Sequence, residues 1–544
     1  MPIFDGNLPY TNLHELNLDW IADEIKQERE RLREIEEYLD EVEQQYTDIQ
    51  AEIPDMEKLI SVITVNEPDI SIAGKVYSTG GFVGNLNGTA AHAQHAINAD
   101  RASVAAVAEN DESDISMLRK LTYNRYKIFE SPVTLNSWFD PLTIYQSNDK
   151  QNYRYYLDVD ALKNAGGSTI YVDRSYTGTS DGTQSKPYKK IKDAMQNASS
   201  GDTIKVAKGI YRKNDLPIPG QIPMDFSMNI ICDEGTILTN SDALTWTQDI
   251  SYPNVYYATR SNVDSVIDVR NRDKGYYAEL TQVASKQDCV DTLGSWFLEN
   301  NTTLYVNIGE AVTNDKIVAP LTVGFVCFDL APTSRDMRFY LENAICINSE
   351  NPIFKVSSTS SYDLEFIAKN CKFLFGKSAT YDGLSLLGTK SVLVDCEASF
   401  NMKDGFNYHS TGGKVCYGIE INCVGNSNGL GGTSPYTYNG STAHDGSQII
   451  RLHGTYINNK GSNVADVNTS TVTLNFGCYA FDSDAGTENI YDSDFCVQQT
   501  GATMYLYSCF AVGNSYRNLW NISGGTMYES NCIYGSSEGT ITEI

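Results

Sequence analysis

A short phrase that returns about every twenty-five residues constrains this chain more than any other feature. Between residues 340 and 535 the phrase reads as apolar residues, a polar residue and cysteine, then a turn. The steps between its first four copies are 25, 25 and 27 residues. A period of this length, built from short runs rich in Val, Ile, Tyr and Phe, is typical of a solenoid whose stacked β-coils share one core. We therefore predict a mainly β parallel β-helix with these cysteines inside it: Cys346, Cys371, Cys396 and Cys423, then less regularly Cys478, Cys509 and Cys532.

The composition limits the partners that such a rod can take. The chain has 544 residues, 69 acidic against 41 basic, and a net charge of −28. Nucleic-acid binding needs basic patches, and anionic membranes attract basic ones, so we expect neither partner. No apolar run approaches the ~18 to 20 residues of a membrane span, and the N-terminus lacks the pattern of a secretory signal. The 12 cysteines are accordingly expected to be free buried thiols.

The N-terminal residues follow a different pattern. Residues 1–20 scatter Leu, Tyr and Trp among polar residues, which predicts a segment that docks on another protein. Residues 21–60 carry apolar residues every 3.5 positions with charged residues between them, which predicts a coiled coil. Glu28 is the one exception to four heptads, and the mixed seam does not fix the strand number. We prefer a trimer mainly because of the segment that follows. The apolar seam consists of Ile25, Leu32, Leu39, Tyr46 and Ile53 at position a, with Ile21, Ile35, Val42, Ile49 and Met56 at position d.

Residues 61–110 contain the stretch GGFVGNLNGTAAHAQHA, which resembles a motif common in phage fibre shafts. The resemblance implies three intertwined chains, and the glycines permit the tight turns that such a shaft needs. His92 and His95 lie three residues apart without a third ligand in view, so we interpret them as shaft residues. Residues 111–167 are predicted to be a connector that ends in a Tyr-rich stretch.

The stretch from Ser168 to Arg212 resembles the opening of the pectate-lyase-like family of right-handed β-helices. It reads STIYVDRSYTGTSDGTQSKPYKKIKDAMQNASSGDTIKVAKGIYR. The resemblance implies a first strand, one helix that caps the end of the stack, and then the first coil. It extends the right-handed β-helix over residues 168–544, with a small β insert at about 245–315 whose signature is GSWFLENNTTLYVNIGE.

The order of these parts resembles the tailspikes and tail appendages of bacteriophages. The resemblance implies a homotrimeric virion protein that is assembled in the cytoplasm of the host bacterium and acts outside the cell. Its N-terminus would attach to phage tail, collar or head proteins. Its β-helix would bind a bacterial surface polysaccharide.

A series of aspartates suggests where chemistry could take place. The series is spaced by 22, 24, 17 and 21 residues, which we interpret as corresponding corners of successive coils. With coils about 4.8 Å apart and Asn428 on a coil between them, Asp404 and Asp445 would lie roughly 9 to 10 Å apart. That separation approaches the range of an inverting glycosidase, so both are candidate catalytic residues. The series is Asp382, Asp404, Asn428, Asp445 and Asp466.

Further candidates cluster around the same stretch. His409, His444 and Asp466 join the catalytic set, because imidazole and carboxyl groups serve as acids and bases. Asp445 and Asp466 would lie near 5 Å, which suits a retaining pair or a cation site, so a calcium ion is left open although no metal site or other cofactor is predicted. An aspartate at a β-helix corner also often only bonds the backbone of its turn. The candidate substrate-binding residues are Arg451, His453, Tyr436 and Tyr438, whose guanidinium, imidazole and phenol groups suit sugars and their acidic groups.

Three functions fit these observations. The first is an appendage that binds a bacterial surface glycan or teichoic-acid-like polymer during adsorption, with or without acid–base hydrolysis of that polymer. The second is a structural or decorative fibre on the head or collar without enzymatic activity. The third, a secreted polysaccharide lyase, is disfavoured by the coiled coil and shaft. The paired DD and GHG of the family's polygalacturonases are absent from the sequence, which argues against a pectinase-like mechanism.

Overall fold

The computed structural model describes residues 126–217, 226–321, 327–349, 352–377, 382–430, 438–483, 492–522 and 524–544. The predicted docking segment, coiled coil and fibre shaft, the first part of the connector, and Tyr436 lie outside these residues. The described part of the chain is mainly β, with the α-helices α1 (Ile191–Asn197) and α2 (Lys286–Asp291). No helix among these residues is long and apolar enough to cross a membrane.

The strands before the regular coils, in chain order, are β1 (Tyr126–Ile128), β2 (Thr143–Ser147), β3 (Tyr153–Tyr156), β4 (Thr169–Val172), β5 (Thr203–Val206), β6 (Ile210–Tyr211), β7 (Met228–Thr239), β8 (Thr247–Gln248), β9 (Val255–Thr259), β10 (Ile267–Asp268), β11 (Ala278–Glu279), β12 (Thr281–Gln282), β13 (Ser295–Glu299), β14 (Thr303–Asn307) and β15 (Ile317–Val318). The strands that follow are β16 (Phe328–Leu330), β17 (Met337–Ile347), β18 (Phe354–Ser357), β19 (Leu364–Lys369), β20 (Lys372–Leu374), β21 (Leu384–Leu387), β22 (Lys390–Val394), β23 (Glu397–Ser399), β24 (Phe406–His409), β25 (Tyr417–Ile421), β26 (Val424–Asn426), β27 (Ser441–His444), β28 (Gln448–Leu452), β29 (Thr455–Ile457), β30 (Ser462–Asp466), β31 (Val472–Phe476), β32 (Tyr479–Phe481), β33 (Ser493–Val497), β34 (Thr503–Tyr507), β35 (Phe510–Ala511), β36 (Arg517–Asn521), β37 (Thr526–Ser530), β38 (Ile533–Tyr534), β39 (Ser537–Glu538) and β40 (Ile541–Glu543).

The strands other than β1 to β3 and β8 to β15 wind into a parallel β-helix with three faces. Face A is a nine-stranded parallel sheet in the order β16-β18-β21-β24-β27-β30-β33-β36-β39. Face B runs from β4 and β5 through β7, β17, β19, β22, β25, β28, β31, β34 and β37 to β40, and face C from β6 through the ends of β7 and β17 to β20, β23, β26, β29, β32, β35 and β38. One coil contributes one strand to each face, as β24, β25 and β26 do. Parallel crossovers are right-handed in nearly all proteins, which agrees with the predicted hand.

The cysteine phrase marks the corner between faces B and C. Except at Cys346, the residue before each cysteine of the phrase has a positive φ, for example 52° at Asn370, 54° at Asp395 and 52° at Asn422. Asn and Asp tolerate this left-handed conformation better than most residues, which explains the polar residue of the phrase. All 12 cysteines are free, and 11 of them are buried.

Cys346 is not part of this series, contrary to our prediction. Cys346 pairs with Phe373 inside face C. The corner of its coil lies three residues earlier, at Asn343, whose φ is 61°. The step of 25 residues from Cys346 to Cys371 therefore matched the period by coincidence.

Two segments outside the coils cover parts of the surface. The antiparallel sheet β1-β2-β3, which belongs to the predicted connector, packs on the outer side of face B. Phe129, for example, meets Phe476 with ring centroids 4.9 Å apart. Strands β8 to β15 form two small sheets, and Ile267 and Val318 of this insert pack with Ile345 on the outer side of face C in the early coils. At the start of the stack, α1 buries an apolar face against the core of the coils.

Candidate functional site

The corner between faces C and A carries a ladder of Asp-Gly and Asn-Gly pairs. Asp382 and Asp404 precede strands that pair in register, and Asn439 occupies the same position on the next coil. The backbone N–H of Asn439 donates to Asp404 Oδ1 at 2.6 Å. The glycine is required because a Cβ on Gly405 would lie 2.6 Å from the carbonyl oxygen of Gly440. The spacing in the sequence placed Asp382 and Asp404 correctly relative to each other. It did not identify Asn439, although the sequence contains the Asn-Gly pair Asn439-Gly440.

Asp445 lies at a different corner, so the predicted pair of Asp404 and Asp445 is wrong. Strand β27 pairs directly with β24, with no coil between them. Asn439 is level with Asp404, and Asp445 follows Asn439 by six residues, which is roughly 15–20 Å along a strand. Asn428 instead belongs to an asparagine ladder inside the C-to-A corner, where its Oδ1 accepts from Asn401 Nδ2 at 2.9 Å.

Arg451 and Asp466 point into the interior of the β-helix and cannot contact a polymer outside it. Both side chains are 0% exposed, and their Nη1 and Oδ1 atoms are 3.6 Å apart. Arg451 Nε lies 3.7 Å from Glu420 Oε1 and donates to Ser441 Oγ at 2.9 Å. Because side chains alternate along a strand, Arg451 lies on the same side as the core residue Ile449. The substrate-binding role predicted for Arg451 and the catalytic role predicted for Asp466 are therefore wrong.

Burial gives Asp466 a pKa of about 6, which predicts a pH effect on stability. The ordinary value is 3.8, so between pH 4 and 6 the folded state binds more protons than the unfolded state, and stability falls as the pH rises through that window. The amide of Asp466→Asn does not titrate. From pH 4 to pH 7 we therefore expect the unfolding free energy of Asp466→Asn to rise by about 3 kcal/mol relative to that of the wild type. Thermal unfolding at a series of pH values measures this gain, and parallel curves for the two proteins would contradict it.

His453 is a turn residue in the structure. It occupies the corner between faces B and C with a φ of 55°, the position that Asn or Asp fills on other coils. Its ring packs against Tyr155 of the N-terminal sheet, with centroids 6.3 Å apart. The structure thus gives His453 a role in the corner, and its predicted contact with substrate stays a prediction. Tyr438, by contrast, lies at the C-to-A corner, where its ring centroid is 5.9 Å from Lys403 Nζ.

His409, His444 and Asp445 come together at the corner between faces A and B. His409 and His444 end paired strands in register, and their rings stack with centroids 4.1 Å apart and an angle of 4° between planes. His409 Nδ1 lies 3.0 Å from Asp445 Oδ2. Asn468 Nδ2 donates to Asp445 Oδ1. We call His409, His444, Asp445 and Asn468 the corner cluster.

The electrostatics of the corner cluster distinguish its members. Burial and the neighbouring His409 lower the pKa of His444 to about 3, so its ring is neutral at pH 7. Partial burial raises the pKa of Asp445, but the hydrogen bonds from His409 and Asn468 lower it by more. The net result is a pKa of Asp445 below its ordinary value. The side chains of His409 and Asp445 are 31% and 40% exposed. With Nδ1–H donated to the Asp445 carboxylate, His409 presents Nε2 as a proton acceptor, which is the arrangement of a carboxylate-oriented general base.

A second polar group lies on the outer side of face A, one strand length away. We call Asp382, Lys403, Asp404 and Asn407 the acidic strip. Lys403 Nζ lies 3.0 Å from Asp382 Oδ1. Burial raises the pKa of Asp404 to about 7, with Lys403 lowering it and Asp382 raising it further. Asn407 is 0% exposed, and no described group forms a hydrogen bond with either its amide nitrogen or its amide oxygen.

Neither polar group forms a recognisable metal centre. Among the described residues, no group of three or more His, Cys, Asp and Glu side chains is placed to hold a metal ion. The corner cluster contains a partly exposed imidazole, and the acidic strip contains a buried carboxyl, Asp404, whose pKa burial raises to about 7.

The likenesses of this chain to known proteins are distant. No protein-family model and no curated protein matches the chain. Among solved structures the chain is similar to a glycoside hydrolase, at 10% identity over 69% of this chain and 96% of that chain, with a TM-score of 0.44. It is similar to XylC in complex with xylose, at 11% identity over 69% and 70% of the two chains, with a TM-score of 0.42. The tailspike protein gp49 from Pseudomonas phage LKA1 shares 12% identity over 62% and 65%, with a TM-score of 0.21. At these values the likenesses assign no substrate.

Proposed function

We propose that this protein is a homotrimeric phage appendage that binds a bacterial surface glycan or teichoic-acid-like polymer and cleaves it by acid–base hydrolysis on the outer side of face A. The observation that carries the catalytic part is the contact of 3.0 Å between His409 Nδ1 and Asp445 Oδ2 at an exposed corner. The virion part rests on the sequence resemblance of the heptads and shaft. The N-terminus attaches to tail, collar or head proteins of the phage.

The residues of the corner cluster divide the work in this proposal. His409 accepts a proton from the attacking water through Nε2, and the ionised Asp445 stabilises the imidazolium that forms. As the bond to the leaving oxygen of the polymer breaks, the imidazolium returns that proton to the leaving oxygen, so that His409 ends neutral. Asn468 donates a hydrogen bond to the other carboxylate oxygen of Asp445 and so fixes the orientation of that carboxylate. His444 supports the ring of His409 by stacking and remains neutral. Asp404 lies too far along the strand to act on the same bond and is only 3% exposed. We therefore assign polymer binding to Lys403 and Tyr438, which are partly exposed at that corner.

The test of the whole proposal uses the purified full-length protein and the surface polymer of the host. We expect the polymer to bind and to become shorter, as measured by size-exclusion chromatography with light scattering. Binding without shortening would remove the enzymatic part. Unaltered adsorption of phage whose appendage is blocked by antibody would favour the decorative fibre instead.

Asn407 gives a prediction that separates binding from folding. A buried amide without partners costs stability, so Asn407→Ala is expected to leave the unfolding midpoint unchanged or to raise it. Because Asn407 is 0% exposed, the same change is expected to leave polymer affinity within about threefold. Isothermal titration and thermal unfolding measure the two effects on one preparation.

The matched control for Asn407 is Asn401, whose amide is fully used. Asn401 Oδ1 accepts from the backbone of Gly376 at 2.9 Å, and its Nδ2 donates to Asn428 at the same distance. Asn401→Ala is expected to cost about 1–3 kcal/mol and to leave polymer affinity unchanged. A loss of stability at Asn407→Ala as large as the loss at Asn401→Ala would contradict the expectation for an amide without partners.

A further inference from the structure

Faces B and C are partly covered by segments of the same chain. Residues of the N-terminal sheet β1-β2-β3 pack on apolar residues of face B as far as the late coils, including Tyr507. The insert covers face C in the early coils, where Ile267 and Val318 pack with Ile347. No such cluster of described residues lies on the outer side of face C in the late coils.

The late coils present an apolar column on that part of face C. Successive strands place its members directly beside one another, one residue per coil. Tyr479 is 50% exposed and Ile533 is 60% exposed. The rings of Tyr479 and Phe510 lie with centroids 5.8 Å apart. We call this column the C-face stripe: Val424, Thr455, Tyr479, Phe510 and Ile533.

The same column changes character along the β-helix. In the earlier coils its positions are filled by Lys372 and Glu397, which form an ion pair at 2.5 Å. From Val424 onward the column carries no charge. Large exposed apolar side chains in a row are unusual on a monomer and mark surfaces that bind another protein.

We propose that the C-face stripes of the copies of this chain pack against one another around a shared axis. Residues that occupy one position per coil form a line parallel to the β-helix axis. The coiled coil predicted at residues 21–60 would hold the copies parallel, so that equivalent positions meet. Each copy carries a net charge of −28, so copies repel except where their surfaces are uncharged. The stripe is such a surface, and this inference rests on the homotrimer of the proposed function.

The test is a cross-link between equivalent positions of the full-length protein. Tyr479→Cys introduces an accessible thiol into the stripe, and a short bismaleimide is expected to join copies into covalent multimers on a denaturing gel. Tyr276→Cys is the matched control, because Tyr276 is 61% exposed on the insert and is expected to give none above the wild type. Ile533→Cys with Cys532→Ser, two coils further on, is expected to repeat the result of Tyr479→Cys.

Each outcome of the cross-linking bears on the inference. Cross-links at Tyr479→Cys and Ile533→Cys but not at Tyr276→Cys support it. Equal cross-linking at all three positions, or none at the stripe in an oligomer, overturns it and leaves the homotrimer standing. A monomer by light scattering overturns both the inference and the homotrimer. Polymer cleavage, measured on the same samples, tests the catalytic proposal separately.

Discussion

Replacing His409 with alanine is expected to slow polymer cleavage by about 100-fold or more, the usual contribution of a general acid or base. The reason is the geometry of the corner cluster, in which Asp445 holds Nδ1 of His409 at 3.0 Å and leaves Nε2 to accept a proton. Polymer affinity is expected to stay within about threefold, because binding is assigned to Lys403 and Tyr438 at the other end of the strand. Reducing-end or phosphate release measures the rate, and titration measures the affinity.

His444 provides the matched control for His409. Its pKa is lowered to about 3, and its ring serves as a stacking surface in our account, so His444→Phe keeps the function that we assign to it. We expect His444→Phe to retain the cleavage rate within about threefold and Asp445→Asn to lose most of it. An active His409→Ala protein, or a His444→Phe protein as impaired as His409→Ala, would remove the His409–Asp445 dyad as the catalytic centre.

Replacing Arg451 with methionine is expected to destabilise the β-helix by about 3–5 kcal/mol. The change leaves the carboxyls of Glu420 and Asp466 buried at 0% exposure without the cation between them. For a chain of this size the unfolding temperature should fall by about 5 °C. Differential scanning calorimetry of the full-length protein measures the effect.

Two further variants make the prediction for Arg451 specific. Arg335 is an exposed arginine, and Arg335→Met is expected to change stability by less than about 0.5 kcal/mol. Adding Glu420→Gln and Asp466→Asn to Arg451→Met removes the buried charges and is expected to recover part of the loss. A loss that stays the same in the triple variant would show that packing, rather than charge, accounts for the role of Arg451.

The coils were predictable because their signal is local and repeats. A polar residue followed by cysteine recurs because the B-to-C corner needs a positive φ and then a small buried side chain, as at Asp395 and Cys396. The capping face of α1 was predictable for the same reason, since Ile191, Ala194 and Met195 follow helical spacing. Cys346 shows the limit, because a matching step in sequence does not establish a matching position in the coil.

The candidate site was predictable in part. His409, His444 and Asp445 of the corner cluster were named from the sequence and Asn468 was missed. Asp445 was assigned to the wrong corner because coil lengths vary. Six residues separate β23 from β24, whereas fourteen separate β26 from β27, so sequence spacing does not report the register there. The side on which Arg451 points was missed as well, because charged residues are expected to face solvent unless the structure pairs them.

The sequence by itself determined that this chain builds parallel coils around a core with free thiols, since period, strand-forming residues and corner chemistry are all local properties. Only the tertiary structure decided which polar residues share a surface. The register between coils, set by corner loops of unequal length, brought His409, His444 and Asp445 together and separated them from Asp404. Alternation across the strands then turned Arg451 and Asp466 inward, where no pattern along the chain would have placed them.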